Sequence, residues 1–225
     1  AKPLDEARLS PDLMDFYEVE PEFSEANGQL CCKLGNRMIS LVRAYWDVAS
    51  GKVKADSSVL SIVFQDEQGR MYWHTAEQLI GDIHQQCDTV KQLAMRYRLP
   101  AISVETNGIG GFVPAILRKA LAGVDCRVVE VFATGNKGDR ILGAIETPLS
   151  AGMLWAHTRI ADGYALTEMR EFSPVDKDYS PDYLDSLAGA ILATPVKMRY
   201  QRITPESSAF RSNNGMHIAK YISRV

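Results

Sequence analysis

The spacing of apolar residues changes once along the chain, and this change most constrains the fold. From Ile39 to Ile80 three runs read as strands, "ISLVRAYWD", "SSVLSIVFQ" and "RMYWHTAEQLI", with "DEQG" as the turn between the last two. Because only short loops separate the runs, the pattern predicts an antiparallel meander.

After residue 83 helices and short strands alternate. "HQQCDTVKQLAMRYRL" has apolar residues at helical spacing and ends before Pro100. A last helix is predicted in "SPDYLDSLAGAILATP", with Ser180 as its N-cap and Pro181 at its first helical position. Between these two helices we predict the strand Ala101–Glu105, the helix Phe112–Ala122, the strand Cys126–Ala133 and the helix Lys137–Leu149. The fold class is therefore α/β, a mixed sheet of five or more strands flanked by helices.

Length and local composition suggest a division of the chain. Its 225 residues suit one large domain or a domain with extensions. Residues 1–38 are acidic, broken by prolines and weakly periodic, and are predicted to form a linker or an N-terminal arm. Residues 39–195 hold the regular pattern, and residues 196–225 form a basic C-terminal tail.

Composition excludes some function classes. No apolar run approaches the length of a membrane span, and nothing at the N-terminus resembles a signal peptide. The four cysteines contain no CxxC pair, and the four histidines lack zinc-ligand spacing. A net charge of -3 does not indicate nucleic-acid binding, although a local basic stripe can bind DNA in an acidic chain.

The segment "AISVETNGIGGFVP" poses a choice between a phosphate-binding loop and an acidic site. Its glycines do not fit G-x-G-x-x-G, and no Walker sequence occurs in the chain. The simpler interpretation gives Asn107 and Gly108 the positive-φ positions of a tight turn. Glu105 then stands at the end of an apolar strand as a functional candidate.

Other acidic residues occupy positions that strand and helix geometry could bring to Glu105. Asp47 ends the first strand, and Asp182 and Asp185 share one face of the last helix. Clustered carboxylates repel one another unless cations lie between them, and hard oxygen ligands favour Mg²⁺ or Mn²⁺. Taken singly, Asp47 can be a turn residue, and Asp182 can complement the helix dipole.

Four segments in order resemble the nuclease domain of the large terminase subunits of tailed phages. These are "RAYWDVASGKVKADSSVLSIVFQDEQGRMYW", "AISVETNGIGGFVPAILRKAL", "NKGDRILGAIETPLSAGMLW" and "PDYLDSLAGAIL". The resemblance implies a ribonuclease H-like fold, related to RuvC-type resolvases, and endonuclease chemistry with two Mg²⁺ or Mn²⁺ ions. It places the catalytic and metal-binding triad on Asp47, Glu105 and Asp185.

The resemblance also implies supporting residues. Asp56 and Asp182 match further acidic positions near the metals. Lys137 and Arg140 match basic positions that face DNA, although a solvated helix N-terminus would look the same.

A terminase large subunit also carries an ATPase motor, and its phosphate loop is missing from this sequence. We therefore expect a fragment of a longer polypeptide. The expected partners are double-stranded DNA, the motor domain, the small terminase subunit and the portal, with no membrane, in the cytoplasm of the host.

Three alternatives stay open at this point. The first is a Holliday-junction resolvase of the same fold. The second is a docking module for the portal or the small subunit whose acidic cluster is vestigial. The third is an ATPase of the sugar-kinase or actin type, which would need phosphate loops in its hairpins.

Overall fold

The computed structural model describes residues 8–26, 29–49, 57–107, 111–174 and 181–198. Its strands are β1 Asp15–Tyr17, β2 Pro21–Ala26, β3 Gln29–Leu34, β4 Arg37–Asp47, β5 Ser58–Asp66, β6 Met71–Leu79, β7 Ala101–Glu105, β8 Arg127–Val131, β9 Leu154–His157 and β10 Val196–Lys197. Its helices are α1 Ile83–Arg96, α2 Val113–Ala120, α3 Lys137–Ser150, α4 Thr158–Ala161, α5 Ala165–Glu171 and α6 Asp182–Leu192, with a short 3-10 turn at Pro11–Leu13. No helix in these ranges is long and apolar enough to cross a membrane.

A single mixed sheet contains all the strands. Strand β4 pairs antiparallel with β5, which pairs antiparallel with β6. On its other side β4 pairs parallel with β7, and β7 pairs parallel with β8. The predicted fold class, antiparallel hairpins followed by β-α-β-α in a mixed sheet flanked by helices, is therefore confirmed.

The N-terminal segment that was expected as a linker or arm contributes strands to this sheet. β1 pairs parallel with β9, and β2 and β3 form an antiparallel extension beside β4. The sequence did not predict these strands, nor β9, α4 and α5. The division of the chain into residues 1–38, 39–195 and 196–225 stays a prediction, and residues 199–225 lie outside the described ranges.

Alternating side chains divide the core between the two faces of the sheet. Trp46, Ile62 and Val104 belong to the cluster that packs under α1 and α2. Tyr45 and Val63 belong to the cluster under α3 and α6. Consecutive residues of one strand thus serve different helical layers, and the odd-numbered residues at the end of β4 face α6.

Helix α6 is buried along most of its length because it packs against β4 and β5 on one side and α3 on the other. Its N-cap is Pro181 in extended conformation, so the sequence placed Pro181 one residue too far into the helix, and Ser180 lies outside the described residues. Inside the helix, the Ser186 hydroxyl lies 2.6 Å from that of Ser61, which also accepts the Trp73 indole N–H at 3.1 Å.

Two glycines of the helical layer allow a matched test of this packing. A Cβ at Gly189 in α6 would overlap the ring of Tyr45, which is only 3% exposed, whereas a Cβ at Gly143 in α3 would meet nothing within 4 Å. We expect Gly189→Ala to lower the free energy of unfolding by roughly 1–3 kcal/mol through overpacking. Gly143→Ala should raise it by about 0.5–1 kcal/mol, because alanine favours the helix.

Urea denaturation of both variants and the parent protein measures these changes. Equal effects of the two substitutions would contradict the close approach of α6 to β4.

Candidate metal centre

The ends of two neighbouring parallel strands bring Asp47 and Glu105 together. Tyr45 of β4 is in register with Ser103 of β7, so the residues two positions further, Asp47 and Glu105, end their strands side by side on one face. Helix α6 covers this face and adds Asp185. One carboxylate oxygen from each of Asp47, Glu105 and Asp185 lies within 4.8 Å of the other two. Asp56 lies outside the described residues.

Two of these carboxylates are strongly shielded from water, and Glu105 is half-buried. Asp47 is 9% exposed and Asp185 is 3% exposed. Burial, and then the negative charges of Asp185, Glu105 and Asp182, raise the pKa of Asp47 well above its usual range, against the opposing effect of Lys137. The Asp47 carboxylate is therefore held where its ionised form is disfavoured unless a cation approaches it.

Two cations from the first turn of α3 partly balance this negative charge. The Lys137 Nζ lies 3.1 Å from Asp185 Oδ2 and 3.5 Å from Asp182 Oδ1, and an Arg140 guanidinium nitrogen donates to Asp185 Oδ1 at 2.6 Å. Burial alone would lower the pKa of Lys137, but the carboxylates of Asp185, Asp47 and Asp182 outweigh it and raise that pKa. Both basic residues thus contact the acidic cluster, and their role toward DNA stays a prediction.

The Asp182 carboxylate lies beside the three-carboxylate group. It is 6% exposed, and its Oδ2 accepts a hydrogen bond from the Ser57 backbone N–H at 2.7 Å. Together with its ion pair to Lys137, this contact joins the start of α6 to the start of β5. The structure thus gives Asp182 a structural role, and its role as a metal ligand stays a prediction.

Tyr45 supports the site, and the sequence analysis did not single it out. The Tyr45 hydroxyl donates to Glu105 Oε2 at 2.8 Å, and burial followed by the Glu105 charge raises its pKa, so it stays a donor. Strand alternation carries this signal, because Tyr45 precedes Asp47 by two residues.

The expected positive φ of Asn107 is wrong, since Arg98 is the only non-glycine residue with positive φ in the described ranges. The Asn107 side chain instead accepts from the Ala133 N–H at 3.0 Å and donates to its carbonyl at 2.8 Å, which ties together the loops after β7 and β8. Gly108 lies outside the described residues.

The chemistry of the donor set fits divalent cations. Three carboxylates supply hard oxygen ligands of the kind that Mg²⁺, Mn²⁺ and Ca²⁺ take in proteins. Like charges this close, with the pKa of Asp47 raised by burial and by the other carboxylates, favour a cation between them.

Comparison with solved structures gives the same architecture. The large terminase nuclease from thermophilic phage G20c with bound magnesium has a TM-score of 0.54 at 15% identity, over 85% of this chain and 97% of that one. Its zinc-bound form gives 0.54 at 16% identity, over 82% and 95%. A variant nuclease domain of the large terminase subunit gp2 of bacterial virus Sf6, with manganese, gives 0.51 at 11% identity, over 68% and 89%.

At these identities the comparison establishes the fold, which is the ribonuclease H-like fold of terminase nuclease domains, and the predicted resemblance is confirmed at that level. No protein-family model matches the chain, and no curated protein does.

Two isosteric substitutions should have opposite effects on stability when divalent cations are chelated. The pKa of Asp47 is raised in the folded protein, so the fold favours the neutral carboxyl group. The stability that this group contributes is complete below its pKa in the unfolded chain. It is lost as pH rises through its pKa in the folded protein. Asp47→Asn should therefore raise the melting temperature at pH 8 in EDTA, with a smaller gain at pH 5.

Asp185→Asn should instead lower the melting temperature at pH 8, by the equivalent of about 3 kcal/mol, because it leaves Arg140 and Lys137 without their shared partner. Neither ion pair is evident from the sequence. Thermal melts at the two pH values measure both effects, and stabilisation by both substitutions would contradict the assigned pairing.

Proposed function

We propose that this chain is a divalent-metal-dependent DNA endonuclease domain that hydrolyses phosphodiester bonds with two Mg²⁺ or Mn²⁺ ions. The observation that carries the proposal is the convergence of Asp47, Glu105 and Asp185 from two strand ends and a helix, within 4.8 Å, on a fold shared with terminase nucleases. Each of the three lies on a different element, so the sheet and α6 together fix their positions.

Each acidic residue has a role in this proposal. Asp47 and Glu105 would hold one ion, and Asp47 and Asp185 would hold the other. The resemblance to terminase nucleases assigns supporting acidic positions to Asp182 and Asp56. Two bound ions supply activation of the attacking water and stabilisation of the leaving oxygen. Tyr45 fixes the orientation of Glu105 through its 2.8 Å hydrogen bond, which limits the rotamers from which that carboxylate can act.

Lys137 and Arg140 have two tasks in the proposed mechanism. They hold Asp185 in position through the ion pairs described above. Their positive charge beside the carboxylates also favours the approach of a phosphate and stabilises the charge that develops on it during cleavage. Contacts of this kind bind the DNA backbone without reading its sequence.

The biological setting follows from the same resemblance. We propose that the domain cuts concatemeric phage DNA as part of a packaging terminase. The partners would be the ATPase motor domain of the same polypeptide, the small terminase subunit and the portal, and the location would be the host cytoplasm.

The isolated domain should cleave linear and supercoiled plasmid DNA with little sequence preference when Mg²⁺ or Mn²⁺ is present, and not in EDTA. Asp47→Asn and Glu105→Gln should each lower the cleavage rate by at least about 100-fold while the fold is retained, because each removes a ligand charge. The matched control is Asp88→Asn. Asp88 is an exposed residue of α1, on the opposite side of the sheet from the metal centre, so this variant should cut at the parental rate. Gel assays on all four proteins measure this.

Cleavage that persists in EDTA would overturn the metal dependence. A strong preference for four-way junctions over linear duplex would favour a resolvase instead. Absence of Mn²⁺ binding in calorimetry by the folded domain would favour a docking module.

A further inference from the structure

A recess lies on the sheet face that carries the metal centre. It has a volume of about 220 Å³ and is lined by residues of β4, β7 and β8 and by the segment from the end of α6 into β10. We define the basic trough by five of the lining residues, which are Arg43, Ser103, Arg127, Val129 and Lys197.

The pleat of the sheet aligns the trough with the metal centre. In β7, Ile102 and Val104 point into the α1–α2 core, so Ser103 and Glu105 point to the opposite face. In β8, Val129 is in register with Ser103, and Val131 with Glu105.

On this face, the residues at the carboxyl ends of neighbouring strands form one row, which holds Asp47 and Glu105. The residues four positions earlier in each strand form a second row. This second row contains Arg43 of β4, Ala101 of β7 and Arg127 of β8. At about 3.3 Å per residue the two rows are roughly 13 Å apart.

Positive charge in the trough is not neutralised locally. The lining contains no Asp or Glu, and none of Arg43, Arg127 and Lys197 forms an ion pair with a described residue. Arg127 and Lys197 are exposed to solvent. The Arg43 guanidinium donates to Gln65 Oε1 at 2.6 Å, while its buried Nε has no hydrogen-bond partner among the described residues.

These cations differ from those at the metal centre. Lys137 and Arg140 contact carboxylates of this chain, whereas the three cations of the trough have no such partner in the described ranges. Residues 199–225, which follow β10 in the sequence, contain five Lys or Arg residues and a single acidic one, Glu206. The net positive charge of this segment does not complement the positive charge of the trough. The trough therefore favours an anion from outside the chain.

We propose that the basic trough binds backbone phosphates of the DNA strand that enters the metal centre, about four nucleotides from the cut. The estimate follows from the separation of roughly 13 Å and the rise of about 3.4 Å per nucleotide of a DNA strand. Ser103, which is small, and Val129, which is apolar, also line the trough and leave room for a DNA backbone to approach closely. The inference rests on the proposed nuclease function, and it names the path of the substrate beyond the reacting phosphate.

The test is a binding measurement that is independent of cleavage. Arg127→Gln with Lys197→Gln, in an Asp47→Asn background that blocks cutting, is titrated with a labelled 30-base-pair duplex by fluorescence anisotropy over a range of salt concentrations. We expect the affinity to fall about tenfold, and the slope of log K against log[salt] to decrease by about 2, because two phosphate contacts are lost.

The matched control is Lys91→Gln with Lys119→Gln in the same background. These lysines lie on α1 and α2, across the sheet, and their removal changes the net charge equally. The control should bind DNA like the parent. An equal loss of affinity in both double variants would show a general charge effect and overturn the trough, as would unchanged binding in the trough variant.

The outcome also separates this inference from the proposed function. Suppose that the unmodified domain cuts DNA with Mg²⁺, that the trough variant binds DNA normally, and that Arg127→Gln with Lys197→Gln, in a domain that keeps Asp47, also cuts normally. The nuclease function then stands and the trough inference is wrong. If the unmodified domain never cuts, yet only the trough variant loses its salt-dependent binding, the trough is a DNA site and the nuclease proposal is wrong.

Discussion

Three carboxylates lie within 4.8 Å of one another, and two of them are almost fully buried. Their mutual repulsion must be offset by the neighbouring residues. Lys137 and Arg140 supply the compensating charge, and both come from the first turn of α3. That turn must therefore be anchored. The Asn136 side chain caps it by accepting from the Gly138 and Asp139 N–H groups at 2.8 Å and 3.2 Å.

Helix α6 must approach the sheet closely for Asp185 to reach Asp47 and Glu105. Gly189 permits this, because it lies against the Tyr45 ring where a Cβ would collide. The same tyrosine then extends its hydroxyl to Glu105. One contact between a strand and a helix thus determines both the depth of α6 and the orientation of a second carboxylate, which links the packing of the core to the geometry of the site.

Sequence reasoning succeeded where the signal is local. The pattern of apolar residues predicted the strands β4 and β7. The acidic residue at the end of each strand pointed to Asp47 and Glu105, two of the three clustered carboxylates. The pairing of β1 with β9 joins residues about 140 positions apart, and no short pattern reports it. The ion pairs of Lys137 and Arg140 span 45 residues and were equally invisible. Asn107 was misread because asparagine favours both positive φ and side-chain bridges, and the structure uses the bridge.

A single parallel pairing, Tyr45 with Ser103 and Trp46 with Val104, fixes the register between β4 and β7. Because side chains alternate at every residue, a slip by one position would turn Glu105 away from Asp47 and bury it under α2. The same slip would move Ser103 out of the basic trough. The acidic row and the basic row are therefore consequences of one register. Any sequence change that weakens this pairing should affect the proposed metal binding and the proposed DNA binding together, whereas changes at Arg127 or Lys197 should affect only the proposed DNA binding.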